Sequence, residues 1–152
     1  MNRAFILVAL IVPAVALSQT QPTTAREGGS GTAAEAKAML EKAVEALKDN
    51  PPQALASFRN ALGGFKDRDL YVFCVGPDGT WSAHPVLEGQ QATEWSLPDG
   101  KVLAQEMLTR AQEDQVSEIS YRWSRAGDKE PVRKVTFFIK VGDQVCGVGY
   151  YP

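Results

Sequence analysis

The sequence predicts an α+β domain, with helices gathered early in the chain and antiparallel hairpins later. Three observations predict it. Apolar residues recur at helical spacing from Ala36 to Leu62, β-type runs take over from Leu70, and Gly/Asp turn signals divide those runs into adjacent pairs. Helices set to one side of such hairpins read as α+β rather than as βαβ units.

The chain opens with an export signal. Met1-Asn2-Arg3 is a short basic start and Ala4 to Leu17 is almost wholly apolar. Ala16-Leu17-Ser18 then offers small residues where a signal peptidase reads, with Ala14-Val15-Ala16 as a second candidate site. Residues 1–18 are therefore expected to be a cleaved signal peptide, directing the chain to the periplasm or outside the cell. That apolar run is shorter than the roughly 20 residues needed to cross a bilayer, and Pro13 would kink a spanning helix. No cysteine lies near the cleavage site to carry a lipid, and no later stretch is apolar enough to span. Residues 19–31 (QTQPTTAREGGSG) lack periodicity and read as a flexible leader. Residues 32–152 then form a single domain.

Thr32-Ala33-Ala34-Glu35 is a capping box. Ala36, Met39, Leu40, Ala43, Val44 and Leu47 follow as one apolar stripe. Asn50-Pro51 ends this helix and caps a second, with Leu55, Phe58 and Leu62 on its core face and Gly63-Gly64 as its stop. Leu70 to Val75 is a strand, Gly76-Pro77-Asp78-Gly79 a turn, and Thr80 to Val86 the returning arm. Leu87 to Leu97 is a loop carrying Trp95. A third amphipathic helix follows Pro98-Asp99-Gly100, burying Val102, Leu103, Met107, Leu108 and Ala111. Ser117 to Ser124 alternates Ile119, Tyr121 and Trp123 against polar residues, as a half-buried strand does. Val132 to Val141 and Gln144 to Tyr151 form a last hairpin around Gly142-Asp143.

The net charge is −2 with signs interspersed and no basic stripe, which argues against nucleic acid and anionic membrane surfaces as partners. Cys74 and Cys146 are the whole thiol inventory. In an exported chain an isolated pair favours a disulfide over a metal or redox centre, and their separation rules out a CxxC motif. Catalytic motifs are scarce: there is one histidine, His84, and no nucleophile elbow, Walker loop or haem attachment site. Gly147-Val148-Gly149 lies inside the last strand with no helix after it, so it reads as close packing within a sheet. Asp67-Arg68-Asp69 reads as a solvated turn. No cofactor or metal is implied.

Several segments, in order, carry a family resemblance. They are Asp69-Leu70-Tyr71-Val72-Phe73, Gly76-Pro77-Asp78-Gly79, Ala83-His84-Pro85, Leu97-Pro98-Asp99-Gly100-Lys101, Tyr121-Arg122-Trp123, Pro131 through Phe137 (PVRKVTF), and Gly147-Val148-Gly149-Tyr150. Together they resemble a single Cache domain, the extracytoplasmic PAS-like ligand-binding module of bacterial chemoreceptors and sensor kinases. The resemblance implies a long N-terminal helix on an antiparallel five-stranded sheet, with a small-molecule pocket between the sheet, the middle helix and the loops. It implies that Tyr71, Trp81, His84, Trp95, Arg122, Trp123, Lys134 and Phe137 are pocket residues for a small organic acid or amino acid. Arg122 and Trp123 have opposite parity on one strand, as do Lys134 and Phe137 on another, so neither pair can share a pocket without a bulge. The resemblance further implies that the first and last strands are neighbours, so Cys74 and Cys146 can face each other. Because the sequence stops at Pro152, it is expected either to hand its ligand state to a membrane-bound signalling partner or to act as a free-standing binder. Two other functions fit the residues: a small exported enzyme using Asp69 or Glu118 beside His84, or a protein-interaction module without a pocket.

Overall fold

The computed structural model describes residues 29–152, so the expected signal peptide and most of the leader lie outside the described residues. Helix α1 (Ala33–Asp49) begins at Thr32, whose side chain and that of Glu35 satisfy each other's backbone N–H groups. Helix α2 (Pro51–Arg59) follows directly, with Asn50 as its N-cap and Pro51 where no N–H is needed. It stops sooner than the sequence suggests. Ala61 turns into left-handed backbone (φ 55°), which puts Leu62 past the helix end and in solvent rather than on the core face.

The strands are β1 (Lys66–Asp67), β2 (Leu70–Val75), β3 (Trp81–Ala83), β4 (Ser117–Ser124), β5 (Pro131–Val141) and β6 (Gln144–Tyr150), with α3 (Leu103–Arg110) between β3 and β4. They form one antiparallel sheet in the order β1-β2-β6-β5-β4, with β3 on the same edge of β2 as β1. The last strand thus lies between β2 and β5 at the sheet centre, as the Cache resemblance implies. The expected return arm from Thr80 to Val86 is shorter than anticipated, because His84-Pro85 turns the chain away from the sheet.

Strand alternation divides the core into two clusters. Val72, Cys74, Phe137, Ile139, Cys146 and Val148 face α1 and α2. Phe73, Val75, Tyr121, Phe138 and Val145 face α3 and the loop after β3. Cys74 and Cys146 stand directly opposite in the β2–β6 register and form a fully buried disulfide on the α1 side. The α3 side is the more loosely covered, because α3 is short and the rest of that layer is loop. The cavity lies there.

Candidate functional site

A cavity of about 320 Å³ opens on the α3 side of the sheet. It is lined by the aromatic side chains of Tyr71, His84, Trp95, Trp123 and Tyr151, by Pro85 to Leu87, and by the charged residues Lys66, Arg68 and Asp69. Below it, Tyr71, Phe73, Trp81, His84, Leu103, Tyr121 and Trp123 enclose a nook of about 10 Å³, room for roughly one water.

His84 is set by the turn it begins. Its Nδ1 accepts the backbone N–H groups of Val86 and Leu87, each at 3.1 Å. The ring proton therefore sits on Nε2, which has no protein partner among the described residues and can donate. Burial, with the nearby Lys134 charge second, pulls the imidazole down to about 4. His84 thus works as a neutral donor near pH 7, and taking up a proton at Nδ1 would break both turn hydrogen bonds.

Lys134 is the unusual residue. It is 1% exposed, and its Nζ donates to Tyr71 Oη at 3.0 Å. The ammonium also sits 4.5 Å from the Tyr71 ring centre and 5.1 Å from that of Tyr151. It lies behind these two rings rather than on the cavity wall. Among the described residues no carboxylate reaches it as an ion pair; Asp69, the acid nearest in effect, is bonded to the backbone N–H of Gly31 at 2.6 Å and lies 3.5 Å from Arg125. Burial lowers the Lys134 ammonium to about 8, with Asp69 pulling less strongly the other way. The Tyr71 phenol is held well above its ordinary value, by burial first and by Tyr151 second, so it stays protonated. With its oxygen accepting from Lys134, the Tyr71 O–H is free to donate into the cavity, strengthened by the cation behind it.

The last strand provides the passage. Lys134 on β5 reaches Tyr71 on β2 by lying across β6, where Thr136 pairs with Gly149. A Cβ on Gly149 would fall 2.4 Å from Lys134 Cε and 2.6 Å from Thr136 Oγ1. The Gly147-Val148-Gly149 motif is thus close packing within a sheet, and what it accommodates is the lysine stem. Gly149→Ala is expected to cost about 1–3 kcal/mol in chemical denaturation, as overpacking does, and to displace Lys134 from Tyr71. A variant as stable as the parent would show that the lysine shifts aside freely.

Of the residues singled out from sequence, Tyr71, His84, Trp95 and Trp123 line the cavity and Trp81 lines the nook below. Trp81 Nε1 is buried without an acceptor among the described residues. Lys134 lies one layer behind. The structure does not bring Arg122 or Phe137 to the cavity. Phe137 faces α1, stacked on Tyr150 with Lys37 above its ring. Arg122 points outward beside Arg133, its cross-strand partner, and donates to the Pro131 carbonyl. Strand parity is the reason in both cases. Of the acids weighed beside His84, Asp69 shares its cavity while Glu118 lines a separate groove near α3.

Sequence reasoning missed Tyr151, Lys66 and Arg68 as cavity residues, and it weighed Asp69 both as part of a solvated turn and as an acid beside His84. Tyr151 has the parity of Gly147 and Gly149, a signal that was present in the last strand. Arg68 takes left-handed backbone (φ 55°), which turns the chain so that Asp69 becomes part of the cavity wall.

An antiparallel sheet with a long helix on one face and a ligand-sized, aromatic-walled cavity on the other is the architecture of a Cache/PAS-like domain. The chain belongs to the Single Cache domain 2 family, whose profile matches residues 15–150. It is 31% identical over 115 residues to the methyl-accepting chemotaxis protein McpP of Pseudomonas putida, a match covering 74% of this chain and 21% of that protein. The chain therefore spans about a fifth of the length of the curated relative it matches. In fold it resembles a methyl-accepting chemotaxis protein from Vibrio parahaemolyticus (TM-score 0.63, 20% identity, 78% of this chain and 86% of that one). A structure described as the basis for carboxylic acid recognition by a Cache chemosensory domain is also similar (TM-score 0.58, 23% identity, 76% and 84% covered). Among the described residues no helix is long and apolar enough to cross a membrane.

Proposed function

We propose that this chain is a periplasmic sensor-type domain that binds a small organic acid without catalysis and reports its occupancy to a membrane-bound signalling partner. The observation that carries this reading is Lys134, a buried cation with no carboxylate paired to it among the described residues. An unpaired buried charge is costly, and an anion arriving in the cavity relieves that cost. Tyr71 O–H and His84 Nε2–H supply two donors for the carboxylate, with Lys134 behind as the counter-charge. The relative described as recognising carboxylic acids supports the same ligand class. An amino acid fits less well, because Asp69, the one acid on the wall among the described residues, is already bonded to Gly31 and near Arg125. The enzyme reading loses its acid–base group, since His84 Nδ1 is taken by two backbone N–H groups.

Calorimetric titration with acetate, propionate and pyruvate tests the proposal, and saturation with none of them up to millimolar concentrations would reject it. The pH dependence follows from the two basic groups. Affinity should be flat between pH 5.5 and 7, because His84 is neutral well above its value of about 4. It should fall as pH rises through about 8, where Lys134 gives up its proton. The unliganded fold should behave oppositely. Lys134 titrates lower in the fold than its ordinary 10.5, so the unfolded chain holds more protons between about 8 and 10.5. Stability should therefore rise with pH across that window. An affinity change centred near pH 6.5 would instead make His84 the titrating anchor.

A further inference from the structure

The cavity also constrains what the carboxylate is attached to. Its volume is about 320 Å³. Allowing each non-hydrogen atom a water's liquid share of about 30 Å³, an acetate would fill only about 120 Å³. Cavities of roughly 300 Å³ and above ordinarily enclose larger ligands.

The distribution of the wall is the second observation. The rings of Tyr71 and His84, its uncharged donors, lie 5.3 Å apart, Lys66 and Arg68 add charged groups to the lining, and Pro85, Val86, Leu87 and Trp95 contribute apolar surface. Two of those apolar residues remain open to water: Val86 is 79% exposed and Trp95 39% exposed. They are two of the five large hydrophobic side chains exposed among the described residues. An indole left partly bare at the edge of a cavity is a flat surface that a ring can cover, gaining both apolar burial and stacking.

We propose that the ligand is an aromatic acid, with its carboxylate inward at Tyr71 and His84 and its ring against Trp95 and Val86 near the opening. This rests on the carboxylate reading above and adds the chemistry of the other end of the molecule. A saturated chain of similar length would fill the space but gain less from a flat indole.

Calorimetry with acetate, hexanoate and phenylacetate on the parent, Trp95→Ala and Val86→Ser decides it. Phenylacetate is expected to bind the parent at least about tenfold more tightly than acetate. In Trp95→Ala that preference should shrink about tenfold, and in Val86→Ser by a smaller factor. Both positions are exposed enough that the variants should remain folded, which circular dichroism checks. Phenylacetate binding no better than acetate, or a preference unchanged in Trp95→Ala, would overturn the aromatic assignment while leaving the carboxylate reading standing. Hexanoate binding better than phenylacetate would replace the ring with an alkyl chain. Failure of all three acids to bind folded parent protein would remove the carboxylate reading itself.

Discussion

Lys134→Met is expected to weaken organic-acid binding by about 1.5–3 kcal/mol, roughly tenfold to 150-fold, while the unliganded protein becomes more stable. The two effects have opposite signs because one group serves both states. Without ligand, carrying the charge is unfavourable: lowering the ammonium from 10.5 to about 8 corresponds to a net cost of roughly 3 kcal/mol near pH 7. That net figure already includes the hydrogen bond to Tyr71 and the contacts with two tyrosine rings. Methionine keeps the unbranched stem that lies over Gly149 and removes the charge, so denaturation should show a gain of about 1–3 kcal/mol. With ligand, the same substitution leaves a carboxylate in an aromatic cavity without its counter-charge. Calorimetry and urea denaturation on one preparation test both halves. If stability falls together with binding, Lys134 is a structural prop and the anion reading is wrong. If binding is unchanged, the carboxylate is held by Tyr71 and His84 alone.

Reduction of the Cys74–Cys146 disulfide, or a Cys74→Ala/Cys146→Ala double variant, should lower stability by about 4 kcal/mol. The bridge closes a loop with a sequence separation of 72, so its loss releases a large conformational freedom in the unfolded chain. Against a total stability of about 5–15 kcal/mol for a domain this size, most of the margin could go. The cysteines also tie β2 to β6, the central pair of the sheet, on the side facing α1. Tyr71 on β2 and Gly149 on β6 belong to the opposite face, so ligand affinity of the protein that remains folded should change little. Urea midpoints with and without reductant measure the effect. Coincident curves would show that the β2–β6 pairing alone holds these strands.

The sequence by itself determined the local elements and the side of the sheet each residue takes. The Thr32–Glu35 capping box, the Asn50-Pro51 junction and the strand over Ser117–Ser124 stand where local chemistry puts them. Period-two alternation alone separates Lys134 from Phe137 and Trp123 from Arg122. It was less able to find ends: α2 stops early because Ala61 leaves helical backbone, and β3 is cut short by the turn at His84-Pro85.

The tertiary structure decided which of those faces meet. Tyr71 and Lys134 are 63 residues apart and touch only because β6, the last strand, inserts between β2 and β5. The bare Gly149 there lets the lysine cross. Asp69 joins the wall through a left-handed residue at Arg68, a conformation that local propensity does not favour. The fate of the Lys134 charge was also beyond the sequence. A lysine in a β-type run is ordinarily solvated, and only the closure of Tyr71 and Tyr151 over it excludes water. Periodicity reports on neighbours a few residues away. Strand order and desolvation depend on contacts between distant segments, and those exist only once the chain has folded.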